Sequence, residues 1–217
     1  PAGAPHAGGG AEHRIPADRA AAIREAARTT GTTMFMMVHA AVAVALSHSG
    51  AGEDIPLGSP TAGRPAPELD DLVGFFVNMV VLRTDLSGDP TVRELLARIK
   101  DTDVAAYSHQ EVPFDRVVET LAPERSAARH PLFQVMVQYQ SPPAITGFDD
   151  LTPTPSFVAN DTAMFDLTFD VIEESDGGLC VRVEYARDLF EESSAEAFAA
   201  RIERAFAAVC ADPDARL

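Results

Sequence analysis

The sequence predicts an α/β or α+β protein, a mixed β-sheet packed with helices in one compact unit, and three patterns carry that expectation. Apolar residues alternate with polar ones at Phe165, Leu167, Phe169 and Val171, and again at Leu179, Val181, Val183 and Tyr185. The first set is joined to the second by Asp176-Gly177-Gly178, the signature of an antiparallel hairpin. Helical spacing governs other stretches, such as Val92, Leu95, Leu96 and Ile99. Helical and strand-like segments follow one another irregularly, so neither an all-α nor an all-β arrangement fits.

The elements follow in order. Residues 1–10, rich in Gly, Ala and Pro, read as a loose N-terminal segment, extended or disordered, ahead of a single unit spanning 11–217. Asp18 is placed to cap a helix that runs to about Thr30 and is closed by Gly31. Thr33 caps a second helix from Met34 to about Ser47, apolar on nearly every side and so expected to be buried on most faces. Asp54 to Gly58 is a short strand, and the Pro/Gly-rich stretch from Ser59 to Glu68 reads as a loop. Phe76 to Arg83 reads as a strand buried on both faces. Thr91 and Glu94 form a capping box at the start of the next helix, and Pro113 suits the first position of a shorter one. Phe133 to Tyr139 is a further strand. Ser141 to Thr162, with four prolines, has no periodic pattern with which to bury itself and is expected to be the most mobile internal segment. Ser193 and Glu196 form a second capping box, for a helix that Asp212-Pro213 stops.

Composition narrows the function. The 217 residues carry a formal charge of −16, which excludes a nucleic-acid-binding surface of the usual basic kind. Residues 149–217 alone hold 16 Asp and Glu against 5 Arg. Cys180 and Cys210 are expected to be unrelated reduced thiols, and no spacing of Cys and His suggests zinc. The longest apolar run, Met34 to Leu46, is too short to span a bilayer, and no secretory pattern precedes it, so the reading is cytoplasmic with no membrane partner. No phosphate-binding loop, serine-nucleophile motif or carboxylate pair calls for a nucleotide, a metal or hydrolytic chemistry.

Four short stretches carry more information together than singly. Gly58-Ser59-Pro60-Thr61-Ala62-Gly63-Arg64-Pro65 is followed by Val73-Gly74-Phe75-Phe76-Val77-Asn78, then by His109-Gln110-Glu111-Val112-Pro113-Phe114-Asp115-Arg116, then by Arg129-His130-Pro131-Leu132-Phe133-Gln134-Val135. In this order and spacing they resemble the C-terminal half of the condensation domains of nonribosomal peptide synthetases, over essentially the whole chain. The resemblance implies one of two lobes, each similar to chloramphenicol acetyltransferase. Such domains form amide bonds between acyl and aminoacyl groups tethered as thioesters on carrier proteins, in a tunnel between the lobes. The implied partners are an N-terminal condensation lobe and the carrier proteins, whose phosphopantetheine arm would be a visiting ligand; no bound cofactor is implied. The family's catalytic motif begins with two adjacent His, and no two of the six His here are adjacent. No catalytic residue is therefore expected in this chain, which alone should not form amide bonds.

The motif residues divide by role. Gly63 and Gly74 suit positive φ or close backbone approach. Arg64 could brace its Pro-rich loop or bind an anion or carbonyl, since its guanidinium fork serves either task. Asn78, a polar residue in an apolar strand, needs buried partners, and the resemblance sets it beside the tunnel. Gln110 is expected to hold backbone groups at the start of the helix opened by Pro113 and Phe114. Pro131 and Phe133 prepare the following strand. The resemblance places Asp166 beside the acceptor channel, whereas its position on the polar side of a hairpin equally suits a solvated carboxylate. Two other functions remain open. One is a condensation-like module that recruits a partner enzyme, such as a tailoring oxygenase, without catalysis. The other is a free-standing acyltransferase that uses one of the six His.

Overall fold

The computed structural model describes residues 6–64, 66–123, 129–141 and 161–217. Seven strands form one sheet: β1 (His6–Ile15), β2 (Asp54–Thr61), β3 (Asn78–Asp85), β4 (Val135–Gln140), β5 (Thr162–Ala163), β6 (Leu167–Glu173) and β7 (Leu179–Ala186). Their order across the sheet is β3-β2-β4-β6-β7-β1-β5. β4 runs parallel to both β2 and β6, and every other pairing is antiparallel. The sheet is mixed, as the irregular alternation of elements required.

Register shows why the apolar residues alternate. Val137, Phe169, Val183 and Ala11 lie opposite one another on successive strands, all buried. The next row on the opposite face reads Gln138, Asp170, Arg182 and Glu12. The apolar face is covered by helices. α2 (Met34–Leu46) lies over β4, α5 (Glu192–Ala211) over β7 and β1, and α3 (Val92–Ser108) over β3. α1 (Ala17–Thr30) packs against α2 and α5. Each fully buried Leu, Phe or Val of that layer contributes about 1.5–3 kcal/mol over leaving it exposed.

α2 is buried from Met36 through Leu46, so its all-round hydrophobicity is that of a core helix between sheet and helices. A wide turn extends it to Ala51, and the 18 residues from Met34 are by length and composition enough to cross a membrane; most are buried within the fold. Thr33 caps it as expected, its hydroxyl accepting from Met36 N at 3.2 Å. Gly31 closes α1 in the left-handed conformation.

Several boundaries differ from the sequence reading. Residues 6–10 are not loose: they belong to β1. The glycines are what let it pack, because a Cβ at Gly8 would lie 2.4 Å from the Thr162 backbone and one at Gly9 2.3 Å from the Tyr185 ring. α1 begins at Ala17 with Pro16 at its cap position, which leaves Asp18 in the first turn, where its charge favours the helix N-terminus. β2 continues through Ser59, Pro60 and Thr61 because its antiparallel partner β3 extends the pairing as far as Thr61 and Asn78. β3 is an edge strand with alternating burial rather than one buried on both faces, and it starts at Asn78, leaving Phe76 and Val77 in the loop. α5 begins one residue before Ser193, and no side chain caps it. The expectation of mobility for Ser141 to Thr162 lies almost wholly outside the described residues.

Candidate functional site

The first three sequence motifs gather around the carboxyl end of β2 and the amino end of β3, and the fourth, which leads into the amino end of β4, meets them through its aromatic rings. Between β2 and β3 the chain forms a loop, residues 62–77, and Gly63 is its pivot. Gly63 has φ +64°, and a Cβ there would lie 1.7 Å from the Phe76 carbonyl oxygen. Both the dihedral and the approach require glycine. Gly74 lacks that constraint, and a Cβ would meet only the edge of the Phe76 ring at 2.9 Å.

Arg64 is a brace. Its guanidinium donates to the carbonyls of Leu69 and Leu72, the latter at 2.8 Å, and lies over the Phe76 ring with 4.2 Å between Cζ and centroid. Satisfied carbonyls and a cation–π contact fix the loop in one shape. Outside this brace the loop presents apolar side chains to solvent: Val73 is fully exposed, Phe75 91% and Val77 47%.

Asn78 ties that loop to the next motif. Its Nδ2 donates to the carbonyls of Gln110 and Val112, both at 2.8 Å, and its Oδ1 accepts from Phe114 N at 3.1 Å. The start of α4 (Phe114–Leu121) is thus held by Asn78 across the sheet edge, with Pro113 at its cap position. The role expected of the Gln110 side chain at that helix start falls to Asn78, and Gln110 contributes its carbonyl. Removing the amide leaves two acceptors and one donor without this partner, so Asn78→Ala should cost roughly 2–3 kcal/mol in thermal or chemical unfolding. A variant in which stability is unchanged would show that these bonds are dispensable.

Phe114 leads into an aromatic cluster. Its centroid is 5.2 Å from that of His130 and 5.9 Å from that of Phe133, and Phe165 stands 5.2 Å from both His130 and Phe133. Phe133 is fully buried, while Pro131 remains at the surface. Burial among these rings pushes the His130 imidazole below its usual pKa. Asp166 lies elsewhere. Its backbone N–H donates to the Gln134 carbonyl at 3.0 Å, which sets it at the amino end of β4. Asn78 instead pairs with Thr61 at the carboxyl end of β2, so the two residues stand at different heights of the sheet.

Two neighbouring depressions open at the motif end, with Val77 on the wall of both. One, of about 400 Å³, is walled by Gly63, Phe76, Asn78, Gln110 and Pro113. The other, of about 540 Å³, lies between the first turn of α2 and the last turn of α3, with Phe35, Ser59, Tyr107, Tyr139 and Gln140 among its walls. Tyr107 stands edge-on to Phe35 at 5.9 Å and hydrogen-bonds Ser59; burial raises its pKa. Among the described residues no His is on either wall. Among the described residues no cluster of His, Cys, Asp and Glu could hold a metal ion.

Sequence reasoning passed over two buried polar groups near these walls. His39, Thr84 and Asp103 form a hydrogen-bonded set inside the helical layer. Asp170, 8% exposed, accepts from Gln140 Nε2 at 3.1 Å, and Arg182 lies 3.8 Å away. An Asp interrupting the apolar run of β6 was the available signal. Burial outweighs Arg182 and Gln140 and raises Asp170 from 3.8 to about 6. A carboxyl raised on folding keeps its proton in the folded state where the unfolded chain has released it. Its contribution therefore turns against folding as pH rises from 3.8 through about 6, and the cost is complete above that. Asp170→Asn should remove it, gaining up to about 3 kcal/mol over wild type at pH 7 and nothing near pH 3.5. Urea unfolding of both proteins across that range is the measurement, and parallel stability curves would count against it.

One helical layer on a mixed sheet, open at the end where its motifs gather, defines a lobe of the acetyltransferase-like kind. The comparisons agree in fold and in sequence. The condensation domain family matches residues 7–217. CymA of Salinispora arenicola, described as a nonribosomal peptide synthetase, is 45% identical over the whole of this chain, which spans 3% of CymA. The X-domain in complex with OxyB from teicoplanin biosynthesis is 32% identical, with a TM-score of 0.85 over 96% of this chain and 47% of that one. The condensation domain of the monacolin K polyketide synthase MokA shares the fold, at 21% identity and a TM-score of 0.84 over 99% of this chain and 50% of that one. The chain belongs to the condensation domain family of nonribosomal peptide synthetases, and it spans about half the length of these two solved structures.

Proposed function

We propose that this chain is the C-terminal half of an amide-forming condensation domain, completed by an N-terminal lobe that supplies the catalytic base. The observation that carries the reading is the braced 62–77 loop, whose Val73, Phe75 and Val77 are exposed beside two open depressions. Exposed apolar patches of this kind mark partner surfaces. In this reading the two lobes enclose the tunnel in which carrier-bound thioester and amine meet, and holding them together supplies much of the rate. The phosphopantetheine arms of the carriers visit the tunnel, and no resident cofactor takes part. The setting is cytoplasmic.

The test is reconstitution. The chain alone should give no condensation product from loaded carrier proteins and should self-associate or bind a supplied N-terminal lobe, and the mixture should form dipeptide. Product from the chain alone, or a mixture that neither associates nor reacts, would overturn the proposal. Exchange of Val73 and Phe75 for Ser should weaken the association at least tenfold.

A second reading has specific support in the likeness to an X-domain solved in complex with OxyB. Under it the chain helps to recruit a partner enzyme without catalysis. Capture of a synthetase-associated oxygenase by a two-lobed protein that makes no dipeptide would favour it. Among the histidines with described side chains, His39 is fully buried, His13 is bonded to Glu203 at 2.6 Å, His130 sits among aromatic rings, and the exposed His48 and His109 line neither depression. That disposition disfavours a free-standing acyltransferase.

A further inference from the structure

We infer that the 540 Å³ depression between α2 and α3 is a side-chain subsite, and that it accepts an uncharged aromatic side chain of a carrier-tethered aminoacyl group. This rests on the amide-forming reading and names the substrate class it would select. The volume lies within the range of about 300–1,000 Å³ typical of small-molecule pockets, enough for an aromatic ring and the start of its tether. Phe35, Tyr107 and Tyr139 offer ring faces and edges, with Val77 completing an apolar wall.

Most of the polar groups on the wall are already held in place. Ser59 is bonded to Tyr107, the Thr61 hydroxyl donates to the Asn78 carbonyl at 3.4 Å, and the Gln140 amide donates to Asp170. Fixed polar groups on an apolar wall orient a ligand without reorganising. No Lys, Arg or His is among the described walls, while two carboxylates stand behind them, Asp170 bonded to Gln140 and Glu173 bonded to Tyr139, each with an Arg on its far side. An acidic side chain would lose its water there with no cation to meet it and a like charge close by. Selection against Asp and Glu side chains is thus built into the wall.

The position agrees with the chemistry. The depression opens at the carboxyl ends of parallel β2 and β4, and shares Val77 with the motif depression beside it. A group seated here would therefore lie next to the surface assigned to the second lobe.

The experiment uses the complete two-lobed domain with carriers bearing phenylalanyl, alanyl or aspartyl groups, each placed in turn on the donor and the acceptor carrier. On the carrier that the subsite serves, kcat/KM should be at least 100-fold higher for phenylalanyl than for aspartyl. Ala62 is exposed on the rim, so Ala62→Trp can fill the depression without entering the core. The variant should lower the phenylalanyl-to-alanyl preference at least tenfold on that carrier while melting within a few degrees of wild type. Which carrier shows the change identifies the donor or the acceptor arm. An unchanged preference, or aspartyl used as well as phenylalanyl on both carriers, overturns the subsite and leaves the amide-forming reading intact. A wild-type domain inactive with every group removes that reading, and the subsite with it.

Discussion

A Gly63→Ala variant is expected to lose about 3 kcal/mol or more of stability, or to abandon the native path of the 62–77 loop. Two independent costs meet at one atom. The left-handed φ of +64° disfavours any Cβ by about 1–2 kcal/mol. The added methyl would also lie 1.7 Å from the Phe76 carbonyl oxygen, which is backbone and cannot swing aside as a side chain would. Moving Phe76 would break the stack under Arg64, and with it the donor pair that holds Leu69 and Leu72. The loop would then lose the shape that presents Val73 and Phe75. Gly74→Ala is the control: its methyl meets a ring edge that can rotate, so a cost below about 1 kcal/mol is expected. Chemical unfolding of both variants, with the amide spectrum of residues 62–78, tests the contrast. Equal small effects would show that the loop adapts freely and that the motif glycine is not its pivot.

The fold was legible where structure is set locally. Thr91 and Glu94 exchange their bonds as a capping box should, at 3.2 and 2.8 Å, because both partners lie within one turn. The hairpin was legible for the same reason: a turn at Asp176-Gly177 and two alternating runs determine its register. Failures arose where distant chain decides. Ser193 and Glu196 show the same capping pattern as Thr91 and Glu94, yet α5 starts earlier, because the turn at Ala186 to Phe190 delivers the chain to Glu191. The glycines of β1 read equally as extended or disordered chain, because the Thr162 and Tyr185 groups that need the space are more than 150 residues away. At the candidate site, the motifs announced their own importance but not their bonds. Nothing in the sequence shows that Asn78 reaches the backbone of residues 110–114, or that a buried Asp170 stands behind Gln140.

The largest stability effect outside the motifs is expected at His39. Its Nδ1 lies 2.9 Å from Asp103 Oδ1 and its Nε2 2.6 Å from Thr84 Oγ1, and all three side chains are essentially inaccessible to water. The set ties α3 and β3 to α2, and both helices contribute to the wall of the 540 Å³ depression. Asp103 Oδ2 has no hydrogen-bond partner among the described residues, so the bond of Oδ1 to His39 is the acid's principal compensation. His39→Leu would leave the Asp103 acid and the Thr84 hydroxyl buried without their partner. Each buried polar group so orphaned costs about 1–3 kcal/mol, and more where it is charged. Replacing both members with apolar residues removes the orphaned acid along with the bond. The double variant His39→Leu/Asp103→Leu should therefore be less destabilised than the sum of its single changes, by at least about 2 kcal/mol. Thr84→Val, which removes one hydroxyl and keeps the shape, should cost about 1 kcal/mol. Urea unfolding of the four variants completes the cycle. Additive single effects would mean that His39 and Asp103 act as separate packing residues. Strong sub-additivity would show that they are one buried unit, holding the roof of the depression to the edge of the sheet.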